Sequence, residues 1–180
     1  NLSKEDLARS SYYKADAKRE DEKIKFKNYN SYLTSLKMRS NLKKFEKGDI
    51  NRITQLINKT NQFNLTSKRF NLEEITNLSQ NSDFLTISGD LKDKFGDNGL
   101  VTAFIGKIQK QTIDVVVWLM SCRVFSRNLE LALFDHLINL CQDRGISTIN
   151  GSYVKSKKNF IVKDFYGTLG FKKLKKHNNK

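Results

Sequence analysis

Three strand-like runs lie back to back in the middle of this 180-residue chain. They read D-F-L-T-I-S-G-D-L, L-V-T-A-F-I-G-K-I and T-I-D-V-V-V-W-L-M-S. The turn K-F-G-D-N-G-L and a few polar residues from Gln109 to Thr112 are all that join them. A parallel crossover needs about a dozen residues, so these connections dictate an antiparallel meander. The third run is apolar on both faces from Val115 to Leu119, which places it centrally. It then turns abruptly into an amphipathic helix over about 128–144, burying Leu129, Leu133, Leu137 and Leu140/Cys141 and closed by Gly145. A strand I-S-T-I-N-G-S-Y-V, a basic loop, a helix F-I-V-K-D-F-Y-G-T-L and a last strand G-F-K-K-L follow. The expected class is α/β with a mixed sheet.

Upstream, residues 3–38 read as a charged helix with Ser3 and Asp6 as a capping-box-like start. Almost nothing between Tyr13 and Ile24 can be buried, so this helix is solvated or leans on something else. L-K-K-F-E-K-G-D-I reads as a linker or short strand, setting a boundary between 1–48 and a domain over 49–180. Ile53, Leu56, Ile57 and Thr60 keep the spacing of an amphipathic helix capped by Asn51, and Asn71 caps a second short one. Asn58, Asn61, Gln62 and Asn64 serve either turn chemistry or amide hydrogen bonding to a ligand. The tail K-K-H-N-N-K is expected to fray.

The net charge of +14 raises nucleic-acid binding, but the charge lies at the ends. Residues 1–50 carry +5, residues 51–150 only +1, and residues 151–180 carry +8. Lys outnumbers Arg 25 to 8, and Arg is what bidentate base readout requires. Nucleic acid is therefore not the expected partner; a basic face meeting an acidic protein is. No run of about 18 apolar residues is present, so no membrane span is expected. The opening N-L-S-K-E-D-L is not basic-then-apolar, so no signal peptide is expected in it. Two Cys and two His match no zinc spacing, so no metal is expected. The expected setting is cytoplasmic and reducing.

N-F-I-V-K-D-F-Y-G-T-L-G-F, with Asn159, Tyr166 and Gly170-Phe171, resembles the motif of GNAT-type acyltransferases, and the element order agrees. That resemblance implies a GNAT-like acyl-CoA N-acyltransferase fold with an N-terminal helical appendage. It places Asn159 against a pantetheine arm and Tyr166 near the sulfur, where a phenol can protonate a leaving thiolate. The runs R-I-T-Q-L-I-N-K-T-N-Q-F-N-L-T, L-K-D-K-F-G-D-N-G-L and W-L-M-S-C-R-V-F-S-R-N-L-E, with the motif above, resemble the C-terminal half of FkbH-like proteins. In that family a phosphatase-like domain of the haloacid dehalogenase (HAD) superfamily precedes a GNAT-like one. Together they move the glyceryl group of 1,3-bisphosphoglycerate to an acyl carrier protein, towards methoxymalonyl units in polyketide pathways. The resemblance thus implies the excised back half of a longer enzyme. Its cofactor would be phosphopantetheine on the carrier protein, or CoA. Its partners would be that carrier and the upstream domain.

The turn Arg123-Val124-Phe125-Ser126-Arg127-Asn128 aligns with the GNAT phosphate-binding turn, whose backbone N–H groups point at a phosphate. Arg123 matches, and Arg127 can pair a phosphate bidentately. Ser126 and Asn128 stand where the pattern has Gly, which permits positive φ and close approach. Asn tolerates the left-handed region, and both residues suit helix caps. Cys122 lies between Ser121 and Arg123, in an electropositive setting that activates thiols, and the resemblance makes it the carrier of a glyceryl thioester. It reads equally as a small hydrophobe at a strand end. Glu130 is either a base or complements the helix dipole. Two functions stay open: acyl transfer, or a non-catalytic module docking the carrier or the upstream domain, with Lys155, Lys157 and Lys158 as the contact.

Overall fold

The computed structural model describes residues 4–174, with side chains from residue 11 onward. The Ser3 cap and the terminal K-K-H-N-N-K fall outside the described residues. The charged N-terminal stretch forms two helices, α1 (Lys4–Ile24) and α2 (Tyr29–Ser35). They part because Asn28 turns extended and accepts hydrogen bonds from the Asn30 and Ser31 amides, restarting the helix. β1 (Leu42–Lys43) follows, then α3 (Ile50–Lys59), β2 (Phe63–Asn64) and α4 (Leu72–Gln80). α3 begins one residue before Asn51, after the 3-10 turn Lys47–Asp49, so Asp49 rather than Asn51 holds the cap position. Asn71 caps α4 as expected, in a full capping box with Glu74.

The meander is present as β3 (Phe84–Asp93), β4 (Gly96–Gln109) and β5 (Thr112–Met120), all antiparallel. α5 (Leu129–Asp143), β6 (Thr148–Asn150) and α6 (Phe165–Thr168) complete the chain. The expected strand 146–154 shrinks to three residues. The expected final strand G-F-K-K-L does not form, although residues 171–174 are described. The sheet runs β1-β3-β4-β5, and β1 lies before residue 48, inside the segment set apart by sequence.

β5 organises the molecule. In its ladder with β4, Ile105 faces Val117 and Gly106 faces Val115, so Val116 is an extra residue. This bulge shifts the alternation by one and explains the unbroken apolar run. Ile113, Val115, Trp118 and Met120 pack with α5 and Phe165. Val117 and Leu119 join Ile53, Ile57 and Ile75 on the α3–α4 side. Both faces of the sheet are covered, so a central strand has no polar face to show.

Candidate functional site

The far edge of β5 is shared between two partners. Parallel β6 pairs with Thr112–Asp114, and β2 pairs antiparallel with Leu119 and Met120. Between them the Leu65 amide donates to the Trp118 carbonyl (3.1 Å), and Thr66 Oγ1 donates to the bulged Val116 carbonyl (2.7 Å). On its other side, Val154 N donates to the Leu65 carbonyl (2.8 Å). Residues 63–66, all buried, therefore fill the gap where β6 diverges from β5.

Asn159 locks this wedge. It is fully buried, and its amide donates to the carbonyls of Asn64 and Val154, each at 2.9 Å. Its Oδ1 accepts from Ser156 N (2.8 Å) and the Tyr153 hydroxyl (3.2 Å). A side chain expected to touch the pantetheine arm thus has its hydrogen-bonding capacity committed to the fold. Tyr166 lies against Trp118 and Phe171, and a Cβ on Gly151 would collide with its ring. Burial pushes its phenol well above the usual range, and the hydroxyl donates to the Ser152 carbonyl at 3.4 Å. In the amide-rich loop, Asn58 bridges both ways to Phe70. Asn61 accepts from Arg69 (2.6 Å), and Asn64 is buried, so turn chemistry accounts for these three.

Past β5 the chain forms the 3-10 turn Cys122–Val124, where Ser121 Oγ accepts from Arg123 N (3.4 Å). Cys122 is exposed on this turn rather than on α5 itself. It lies on the wall shared by two clefts. One, of about 510 Å³, faces α1 and α2; the other, of about 430 Å³, faces α3. Arg123 and Phe125 line both. The Arg123 guanidinium stacks over Tyr12 (4.5 Å). Neither Glu130 nor Tyr166 lines either of the clefts beside Cys122. Glu130 Oε2 and Trp118 Nε1 are buried without a hydrogen-bond partner among the described residues; nothing in the structure explains them.

Ser126 and Asn128 adopt φ of +61° and +59°, so the turn keeps the left-handed positions without glycine. The Ser126 carbonyl accepts from the Tyr29 hydroxyl (2.6 Å), and Asn128 occupies the cap of α5 without a side-chain cap bond. Ser126→Gly is expected to stabilise the chain by about 0.5–1 kcal/mol, because relief of left-handed strain exceeds the added unfolded-state entropy. The Tyr29 bond goes to backbone and survives the change. Urea unfolding checks this, and a loss of stability would contradict it.

Arg127 does not stand free for a phosphate. Its side chain pairs with Asp93 (3.2 Å) and, more loosely, Asp16 (3.8 Å). Burial first, then the neighbouring Arg19, lower its affinity for a proton despite the two carboxylates. Arg19 grips Asp93 through two nitrogens (2.7 and 3.0 Å) and Asp16 through a third (2.6 Å). The helix with little to bury is thus held by its charges, as an expectation built on apolar content missed.

Sequence reading also missed Arg52, Gln55 and Lys59, which line the α3-side cleft. Their spacing puts them on the polar stripe of α3, where a solvated face gives the same pattern. Among the described residues no group of three or more His, Cys, Asp or Glu could hold a metal, and no helix is long and apolar enough to cross a membrane.

No family model matches the chain, and no curated protein matches it. Solved structures do. The ribosomal-protein-S18-alanine N-acetyltransferase of Escherichia coli superposes with a TM-score of 0.58 at 15% identity, over 76% of this chain and 80% of its own. PaiA N-acetyltransferase from Thermoplasma acidophilum, solved with coenzyme A, gives 0.56 at 16%, over 74% and 90%. The aminoglycoside N-acetyltransferase AAC(6')-Iy, solved with CoA, gives 0.57 at 10%, over 77% and 91%. The fold is that of the GNAT acetyltransferases. At these identities the likeness is one of architecture.

Proposed function

We propose that this domain is an acyltransferase that carries its acyl group on Cys122 and passes it to a phosphopantetheine thiol. The observation that carries the reading is the exposed Cys122 at the wall between two clefts, just past the central strand of a GNAT fold. A donor and an acceptor can approach such a thiol from different sides. In the first step the Cys122 sulfur attacks the acyl carbon of a thioester or acyl phosphate, forming the Cys122 thioester and releasing thiol or phosphate. In the second, the acceptor thiol attacks that thioester and Cys122 regains its proton. No oxidant is needed. The four runs that resemble FkbH-like proteins support glyceryl as the acyl group, and an acyl carrier protein and an upstream phosphatase-like domain as partners. The basic loop Lys155, Lys157 and Lys158, beside the exposed Phe160 and Ile161, suits an acidic carrier.

Incubation with a glyceryl thioester of a small thiol is expected to add one glyceryl group to the protein, seen by intact mass. Cys122→Ala is expected to lose it, and carrier loading is expected to fall at least about tenfold. Acylation that persists in Cys122→Ala overturns the nucleophile. A second reading, a docking module without chemistry, draws on the wedge of residues 63–66, which fills the gap held by Asn159. Carrier binding without any acylation of the wild-type chain would favour it.

A further inference from the structure

The two clefts flanking Cys122 differ in charge. On the α1 side, Asp16 and Glu20 line the wall with Arg19, Lys23 and Arg127. Arg19 and Arg127 are already paired there with Asp16 and Asp93. On the α3 side, Arg52, Lys59 and Lys158 converge with no carboxylate in the lining; Arg123 borders this cleft too, but its guanidinium is stacked over Tyr12 of α1. Among the described residues none of these three has an ion pair, whereas Lys43 and Lys92 elsewhere find Asp or Glu. Unpaired cations gathered in a concavity repel one another, and low-dielectric walls concentrate their field. An anion relieves that repulsion. The same cleft has an apolar floor of Leu56, Phe63 and Met120, beside the amide of Gln62. Its volume of about 430 Å³ falls within the size range of small-molecule sites.

We propose that the α3-side cleft, not the turn before α5, seats the phosphate of the phosphopantetheine arm. Arg52, Lys59 and Lys158 hold the phosphate, the apolar floor receives the alkyl part, and the thiol end reaches Cys122. Only the identity of the arm rests on the acyl-transfer reading; the anion preference rests on the cleft. The GNAT-like turn is unsuited to this task here. Its Arg127 is neutralised by Asp93, and Asp16 and Glu20 face the space a phosphate would enter.

The test is calorimetric titration of the Cys122→Ala protein with phosphopantetheine and with pantetheine, which lacks the phosphate. The phosphorylated compound is expected to bind at least about tenfold more tightly, with the preference shrinking as salt rises. Arg52→Ala/Lys59→Ala, both exposed positions on α3, is expected to erase most of that preference, with an unchanged melting curve showing that the fold is kept. Lys23→Ala, in the other cleft, is expected to leave it intact. No preference for phosphate, or a preference lost in Lys23→Ala and kept in the double variant, overturns the assignment. CoA and a phosphopantetheinylated carrier protein, titrated in parallel, separate the sources; tight binding of either supports the cleft. Because the binding protein lacks the thiol, these results stand apart from the chemistry. A wild-type chain that forms the Cys122 thioester yet ignores the phosphate sinks the cleft alone.

Discussion

Asp93→Ala is expected to destabilise the chain by about 3–5 kcal/mol, the usual cost of removing one partner from a buried charge cluster. The Asp93 side chain is wholly buried and serves two guanidiniums that are themselves nearly so, Arg19 and Arg127. Without it both keep only Asp16, whose side chain is about half exposed. Asp93 Oδ1 also accepts from the amides of Phe95 and Gly96, so the β3–β4 turn loosens as well. Chemical denaturation measures the loss, and a change under about 1 kcal/mol would show that the cluster does not tie α1 to the sheet.

The same group gives a pH dependence. Burial alone pushes the Asp93 carboxyl upward. The Arg19 hydrogen bond, the Phe95 amide and the charges of Arg19 and Arg127 outweigh it and hold the carboxyl below its ordinary range. A depressed folded-state value means the stabilisation is fully present above the unfolded value near ~4 and drains away as pH falls through the folded one. Stability of the wild type is therefore expected to drop in acid below about pH 4, with a flatter profile in Asp93→Asn.

Asn159→Ala is the second large effect, about 3 kcal/mol or more. It leaves the carbonyls of Asn64 and Val154 and the Ser156 amide without the partner that the fully buried Asn159 side chain gives them. For a chain of this size that corresponds to a fall in melting temperature of roughly 6–12 °C. Asn159→Asp keeps the acceptor but aims a carboxylate at two carbonyls, so it is expected to fare no better. Hydrogen exchange adds a local readout. The amides of Leu65 and Val154 are expected to lose protection before the β3–β4 ladder does. Equal loss everywhere would mean that Asn159 supports the whole core rather than the wedge.

The meander, the central apolar strand, the amphipathic α5 and the Asn71 cap were legible in sequence because each rests on local rules: connection length, periodicity and short-range capping. The left-handed backbone at Ser126 and Asn128 was implied by the GNAT resemblance, whose pattern has Gly at these positions. The final strand was misplaced, because the lack of a strand partner for residues 171–174 among the described residues is a long-range fact, as is the pairing of β1 with β3 across the linker. The roles of polar residues were the least legible. Arg127 and Asn159 look like ligand contacts in one dimension. Asp93 lies 34 positions from Arg127 and Asn64 lies 95 from Asn159, and each partner consumes the capacity that a ligand would have used. Arg52 and Lys59 look like solvated surface, and Lys158 like part of a carrier contact, until the fold brings α3 and Lys158 around one cleft beside Cys122. The frame, a mixed sheet with Cys122 just past the end of its central strand, was written in the chain, because hydrogen-bond periodicity and apolar patterning act over a few residues. Whether that thiol is exposed, which charges are spent and which remain unpaired follow from the folded arrangement alone, because burial and electrostatic pairing depend on distance in space and not on separation along the chain.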